Sequence, residues 1–339
     1  MSETSPLLQI RDLEVTYRTR AGDVPVVRGV SLDLGAAGTL GLAGESGCGK
    51  TTIANAVLRL LPPGTRVEGQ VLLEGEDVYQ MSPGRLRAVR WSELAVVFQG
   101  ALHSLDPVQR VGKQIAEAID LHTTQSRGAT KQRVGELLEQ VGLPARRGDD
   151  YPHQLSGGQR QRVMIAMALA CDPAVLIADE PTTALDVMVQ AQVLDLLQRL
   201  QRERNLAVLF ITHDLSVLTY VCKRLAVMYA GRIVEEGASD VVFEQPQHPY
   251  TRALAAAFPT IGDPTSRMHP SGLDGDPPDP QHIPGGCPFH PRCDVAEERC
   301  ATLDVKLTPA GPGRRAACVK VGSDQAQTGG GGMPEVRAE

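Results

Sequence analysis

The sequence predicts an α/β fold with a buried parallel sheet, and three stretches predict it. Gly44-Glu45-Ser46-Gly47-Cys48-Gly49-Lys50-Thr51-Thr52 fits the phosphate-loop pattern GxxxxGK[ST]. Val175 to Ala178 and Leu206 to Ile211 are continuous apolar runs, and between them Val189, Val193, Leu197 and Leu200 share one helix face, which makes a βαβ unit. The first of those runs ends in the paired carboxylates Asp179-Glu180.

The 339 residues are 42% hydrophobic and 22% charged, ordinary values for a globular protein with a sizeable core. Lys and Arg number 34 against 40 Asp and Glu, a net charge of -6, so no nucleic-acid footprint covers the chain and nucleic acid is not an expected partner. Basic runs such as Arg85 to Arg90 read as solvated helix faces. The first ten residues lack a basic region followed by an apolar core, and no apolar run approaches the ~20 residues that span a bilayer. The chain is expected to stay in the cytosol and to reach a membrane only by docking on a partner.

Taken in order, Leu8 to Tyr17 and Val26 to Leu34 alternate apolar and polar residues and read as antiparallel strands. Thr39 to Ala43 is a short buried strand, and after the phosphate loop Ile53, Val57, Leu60 and Leu61 form a helical stripe that Pro62-Pro63-Gly64 ends. Val67 to Glu74 alternates again. From about 82 to 161 the pattern is mostly helical, including Ala116 to Leu121 and Gln132 to Val141, as expected of an inserted helical subdomain. Leu225 to Tyr229, a turn at Ala230-Gly231 and Arg232 to Glu235 make a hairpin. Beyond Pro259 the composition shifts to Pro, Gly, Asp and Cys, marking a separate extension, and the segment holding Gly329 to Gly332 is expected to be disordered.

The chemistry follows from these placements. Between strand and helix, Gly44, Gly47 and Gly49 let the amides of Ser46 and Cys48 wrap phosphate oxygens, Lys50 reaches the β and γ phosphates, and the Thr51 hydroxyl faces Mg2+. Asp179 is placed to hold Mg2+ through water. Glu180 is placed to orient the attacking water, a role that typically contributes ~10^2 to 10^4-fold to rate. Leu155-Ser156-Gly157-Gly158-Gln159 precedes a helix, where glycine amides and the Ser156 hydroxyl suit a second anion site.

LSGGQ resembles the signature of ATP-binding cassette (ABC) ATPases, and further elements of that family follow in its order. Tyr17 resembles the aromatic that stacks on adenine, Phe98-Gln99 the loop whose Gln touches metal or water and senses the membrane partner, Ala184-Leu185-Asp186 the D-loop, and Thr212-His213-Asp214 the switch-histidine loop. Each alone has an ordinary structural explanation; their order and spacing favour the resemblance. It implies an ABC-type P-loop NTPase with a RecA-like core, an antiparallel β-subdomain and an inserted helical subdomain. It also implies that two cassettes pair head to tail, each ATP lying between one phosphate loop and the other signature.

Val97-Phe98-Gln99, Ser104-Leu105-Asp106-Pro107 and His248-Pro249-Tyr250-Thr251-Arg252-Ala253-Leu254 resemble the ATPase subunits of the oligopeptide/dipeptide/nickel importer family. Gly100-Ala101 departs from it, since relatives usually carry an acidic residue and then a small residue or Pro. The resemblance implies a cassette over 1–258, a C-terminal extension over 259–322 and a tail over 323–339. It implies two permease subunits, a second, non-identical ATPase and an extracellular binding protein as partners, at the cytoplasmic face of a bacterial membrane. The expected work is ATP hydrolysis driving peptide uptake; nickel-chelate or other cargo, and a non-transport ABC ATPase, are the alternatives.

Seven cysteines in a cytosolic chain argue against a disulfide framework. Cys48, Cys171 and Cys222 are isolated core or loop residues, whereas Cys287, Cys293, Cys300 and Cys318 gather in the extension with spacing C-x5-C-x6-C-x17-C. The zinc knuckle C-x2-4-C is absent, and iron-sulfur clusters accept varied spacing. The pattern CPFHPRC with two later Cys resembles extensions of peptide-importer ATPases, some of which hold a [4Fe-4S] cluster; zinc and plain reduced thiols stay open beside it.

Overall fold

The computed structural model describes residues 6–98, 100, 104–257 and 273–321, so Gln99 and the expected disordered tail over 323–339 lie outside the described residues. The N-terminal alternation becomes β1 (Leu8–Thr19) and β2 (Gly22–Leu34), paired antiparallel. β3 (Thr39–Ala43) leads through the phosphate loop into α1 (Lys50–Val57). β4 (Arg66–Leu73) joins the free side of β1 and carries the short β5 (Glu76–Asp77), giving an antiparallel sheet in the order β2-β1-β4-β5.

After α2 (Pro83–Ser92), β6 (Leu94–Val97) interrupts the helical stretch expected over 82–161. Four apolar residues are too few for periodicity to separate strand from helix, and here pairing with a neighbour decides. The helices α3 (Val111–His122), α4 (Arg127–Gln140) and α5 (Gly157–Ala168) then bring the chain to β7 (Val175–Asp179), α6 (Val187–Arg204) and β8 (Ala207–Thr212), the βαβ unit read from the sequence. After α7 (Leu215–Val221), β9 (Arg224–Tyr229) and β10 (Arg232–Ala238) form the hairpin, with Ala230 at φ 45° and Gly231 at φ 83° in its two-residue turn. Two short helices, α8 (Ser239–Glu244) and α9 (Pro249–Ala257), complete this part.

The second sheet runs β6-β7-β8-β3-β9 in parallel. Both of its faces are covered: Leu176, Ala178, Val208 and Phe210 point into one apolar cluster, and Val175, Ile177, Leu209 and Ile211 into another. This is why its strands read as unbroken apolar runs rather than alternating ones.

Composition suggests a separate extension, yet the extension continues this sheet. β11 (Thr308–Pro309) and β12 (Arg315–Ala316) add to the free edge of β10, Arg314 forms a buried ion pair with Glu235, and Phe289 is buried in the main core. Burying an aromatic of that size contributes on the order of 2–3 kcal/mol. A few buried anchors in a Pro- and Gly-rich segment carry this docking, and composition dilutes them.

Candidate nucleotide site

The register of the parallel sheet gathers the site. Ala43 pairs with Thr212, and Asp179 pairs with Ile211, so the segments leaving β3, β7 and β8 emerge together at the carboxyl edge, where open α/β sheets bind ligands.

The phosphate loop fits that edge so closely that two of its positions admit only glycine. Gly44 (φ 153°) would put a Cβ 2.3 Å from the Met228 carbonyl oxygen, and Gly49 (φ 109°), the N-cap of α1, would put one 2.8 Å from the Val26 carbonyl oxygen. Lys50 is only 5% exposed; its Nζ donates to the Gly44 carbonyl at 2.7 Å and the Glu45 carbonyl at 2.9 Å. Loop amides, a helix start and a confined ammonium make an anion site. Tyr17 on β1 reaches the same helix, with its hydroxyl 3.2 Å from Thr52 Oγ1.

Asp179 is 1% exposed, and its Oδ1 is buried without a hydrogen-bond partner among the described residues. Burial raises its carboxyl pKa, and the Thr51 hydroxyl opposes that shift. An orphaned carboxylate oxygen beside a hydroxyl suits a hard divalent cation such as Mg2+, alone or through water.

Glu180 follows directly, with φ 46°, a left-handed conformation that costs a non-glycine residue about 1 kcal/mol or more. Its N–H donates to the Ile211 carbonyl at 2.8 Å, which holds the side chain over the neighbouring strand end. Oε2 accepts from Thr183 Oγ1 at 2.8 Å, and Oε1 lies 3.4 Å from His213 Nδ1. The His213 hydrogen bond holds the Glu180 carboxyl below its ordinary range against the opposing effect of burial, and the Glu180 carboxylate raises His213. A carboxylate kept ionised this way orients water better than it stores a proton.

The second candidate anion site is built apart from this group. Ser156 caps α5: its Oγ accepts from Gln159 N at 3.3 Å while Gln159 Oε1 accepts from Ser156 N at 3.0 Å. Gly158 is packed so tightly that a Cβ would lie 2.4 Å from Val189 Cγ1, and one on Gly157 would touch Leu185. Asp186 caps the facing helix α6 by accepting from Val189 N at 3.0 Å. The signature and the D-loop thus form one packed unit, with no hydrogen bond to the phosphate loop among the described residues.

Gln99 lies outside the described residues, but Phe98 before it lines an apolar groove of ≈ 370 Å3 with Leu58, Leu60, Trp91, Met164 and Met167. Cys287, Cys293, Cys300 and Cys318 line one narrow cavity of ≈ 20 Å3. Burial raises the Cys287 and Cys293 thiols, and the neighbouring cysteines add to that. The donor set is gathered, yet no three or more His, Cys, Asp or Glu side chains are placed to hold a metal ion among the described residues. Cys48 and Cys222 are buried and Cys171 half-buried, as expected of isolated cysteines.

Sequence reasoning missed the loop's outer supports. The Tyr250 hydroxyl accepts from Glu45 N at 2.9 Å, and Arg292 forms a two-pronged ion pair with the Glu45 carboxylate. Both lie in motifs noted above, HPYT and CPFHPRC, but nothing in a linear pattern says which distant loop they touch.

Residues 27–183 match the family described as ABC transporter, and residues 234–300 match the oligopeptide/dipeptide transporter C-terminal region. The oligopeptide transport ATP-binding protein OppD of Bacillus subtilis is 44% identical over 300 residues, covering 87% of this chain and 84% of that protein. The dipeptide transport ATP-binding protein DppD of the same organism is 43% identical over 291 residues, covering 85% and 86%. A dimeric ATP-binding cassette solved in a post-hydrolysis state with ADP and phosphate matches with a TM-score of 0.62 at 27% identity, covering 68% of this chain and 98% of that one.

Proposed function

The chain belongs to the ABC transporter ATPases that carry an oligopeptide/dipeptide transporter C-terminal region, and from that premise we propose how it powers peptide import. It is the ATP-hydrolysing subunit of a peptide importer. The observation that carries the chemistry is the cluster at one sheet edge: phosphate loop, orphaned Asp179 oxygen, and Glu180 held between Thr183 and His213. ATP phosphates sit on the loop amides with Lys50, and the adenine lies against Tyr17. Thr51, Asp179 and Gln99 would hold Mg2+, which would neutralise charge developing on the phosphates. Glu180 orients the attacking water, and His213 both fixes that carboxylate and touches the γ-phosphate, reporting whether it is intact.

Ser156, Gly157, Gly158 and Gln159 complete the ATP site of a second cassette, with Asp186 at the seam. We assign residues 1–258 to the cassette, with the helical subdomain expected over 82–161 beginning only after β6 has joined the parallel sheet, and 259–322 to the extension. Among the described residues no helix is long and apolar enough to cross a membrane. The protein works peripherally at the cytoplasmic face, bound to two permease subunits, a non-identical second ATPase and, across the membrane, a substrate-binding protein. The apolar groove beside Phe98 suits an apolar helix of a permease.

Glu180→Gln is expected to retain ATP binding and to slow hydrolysis by ~10^2-fold or more. Near-normal turnover at a site shown to contain this residue contradicts the assignment. A further part of the proposal concerns the cysteines: the four thiols that line one cavity are not placed to hold a metal as they stand, and a [4Fe-4S] cluster would have to draw them together and deprotonate them, stiffening the extension and taking no part in hydrolysis. Iron and acid-labile sulfide measured on anaerobically purified protein should both reach about four per chain, as that cluster requires; their absence sinks the proposal.

A further inference from the structure

Glu45, the second residue of the phosphate loop, has its side chain, amide and carbonyl all engaged. Its carboxylate receives Arg292 through two parallel bonds, Nη1 to Oε2 at 2.8 Å and Nη2 to Oε1 at 2.9 Å. Its N–H donates to the Tyr250 hydroxyl at 2.9 Å. Its carbonyl accepts from the Lys50 ammonium at 2.9 Å. The loop that meets the phosphates is therefore gripped by residues about 200 and 250 positions later in the chain.

Arg292 is itself fixed. Its side chain is 8% exposed, its Nε donates to the Asp274 carbonyl at 2.9 Å, and its guanidinium stands 5.9 Å from the ring centres of both Tyr229 and Phe289. It ends the short turn His290–Arg292, which begins by donation of His290 N to the Cys287 carbonyl at 3.0 Å and runs directly into Cys293. Two of the four clustered cysteines thus bracket the residue that grips the phosphate loop.

We propose that Arg292 is a positioning residue for ATP binding: through Glu45 it sets the carbonyls that Lys50 rests on, and so couples the cysteine-bearing turn of the extension to the phosphate loop. A bidentate guanidinium–carboxylate pair with little solvent fixes direction as well as distance, which a single charged contact does not. The pair acts on binding of ATP, because it touches the loop and not Glu180 or His213. This rests on the loop being the ATP phosphate site, and Lys50→Ala tests that reading separately.

The experiment measures KM for ATP and kcat with the full chain assembled with its permeases and partner ATPase, with thermal unfolding recorded alongside. Arg292→Gln and Glu45→Gln should each raise KM by about tenfold with kcat within about twofold, and the double variant should be no worse than either single one, as for residues acting as a unit. Arg292→Lys, which keeps charge without the fork, should fall between native and Arg292→Gln. Three results overturn the inference: unchanged KM in both single variants, fully additive effects in the double one, or KM moving only in step with the unfolding midpoint. Loss of ATP binding in Lys50→Ala with native behaviour in Arg292→Gln removes this inference and leaves the ATP site standing, whereas unimpaired binding in Lys50→Ala removes the reading of the loop itself.

Discussion

Glu180 and His213 shift each other in opposite senses, and the pH dependence follows. His213 is raised above its ordinary 6.5 by Glu180, so its charged contribution is complete below 6.5 and is lost as pH rises through the folded value. Glu180 is lowered beneath its ordinary 4.5 by His213, so its contribution is present above 4.5 and is lost as pH falls through the folded value. Between 4.5 and 6.5 the charged form of each partner predominates. Titrating the His213 ring by NMR in Glu180→Gln should give a pKa below that in the native chain; an unchanged value contradicts the pairing. Glu180 was legible in the sequence from its place after an apolar run, and His213 from the resemblance of Thr212-His213-Asp214 to the switch-histidine loop. Their hydrogen bond was not, because it depends on the pairing of β7 with β8 and on the unusual backbone of Glu180.

At the scale of elements, the signature helix α5 and the D-loop helix α6 behave as one body because glycine lets them touch. Gly158→Ala forces a methyl group onto Val189, an overpacking that typically costs about 1–3 kcal/mol. The thermal midpoint should fall, and Val189→Ala in the same chain should recover much of the loss. A Gly158→Ala protein as stable as the native one contradicts that packing. The strands β1, β3, β7 and β8, the hairpin of β9 and β10 and the helix α6 were legible because long periodic or unbroken apolar runs leave little choice of element. β6 was hidden by its four-residue length, and β11 and β12 by being two residues each, held by pairing and by Arg314 rather than by any pattern of their own.

Across the whole molecule, the parallel sheet brings residues from the start, middle and end of the cassette to one edge, and the extension grips that edge from behind. The loops after three adjacent parallel strands carry the phosphate-loop motif, the paired carboxylates and His213, so the segments proposed to meet the γ-phosphate sit side by side. Under the proposed function the signature unit would complete the ATP site of a second cassette. In the importer proposed above, ATP would favour the closed pair of cassettes and hydrolysis would release it, a ligand-biased two-state motion for permeases to convert into alternating access.

If hydrolysis oriented by Glu180 drives peptide uptake, loss of that carboxylate should all but stop uptake. This is tested most directly by uptake of a labelled di- to pentapeptide mixture into cells whose sole peptide importer contains this chain, native or Glu180→Gln, at matched abundance. The native chain should support uptake, and uptake with the variant should fall by ~10^2-fold, in step with hydrolysis. Uptake undiminished in the variant would contradict that coupling.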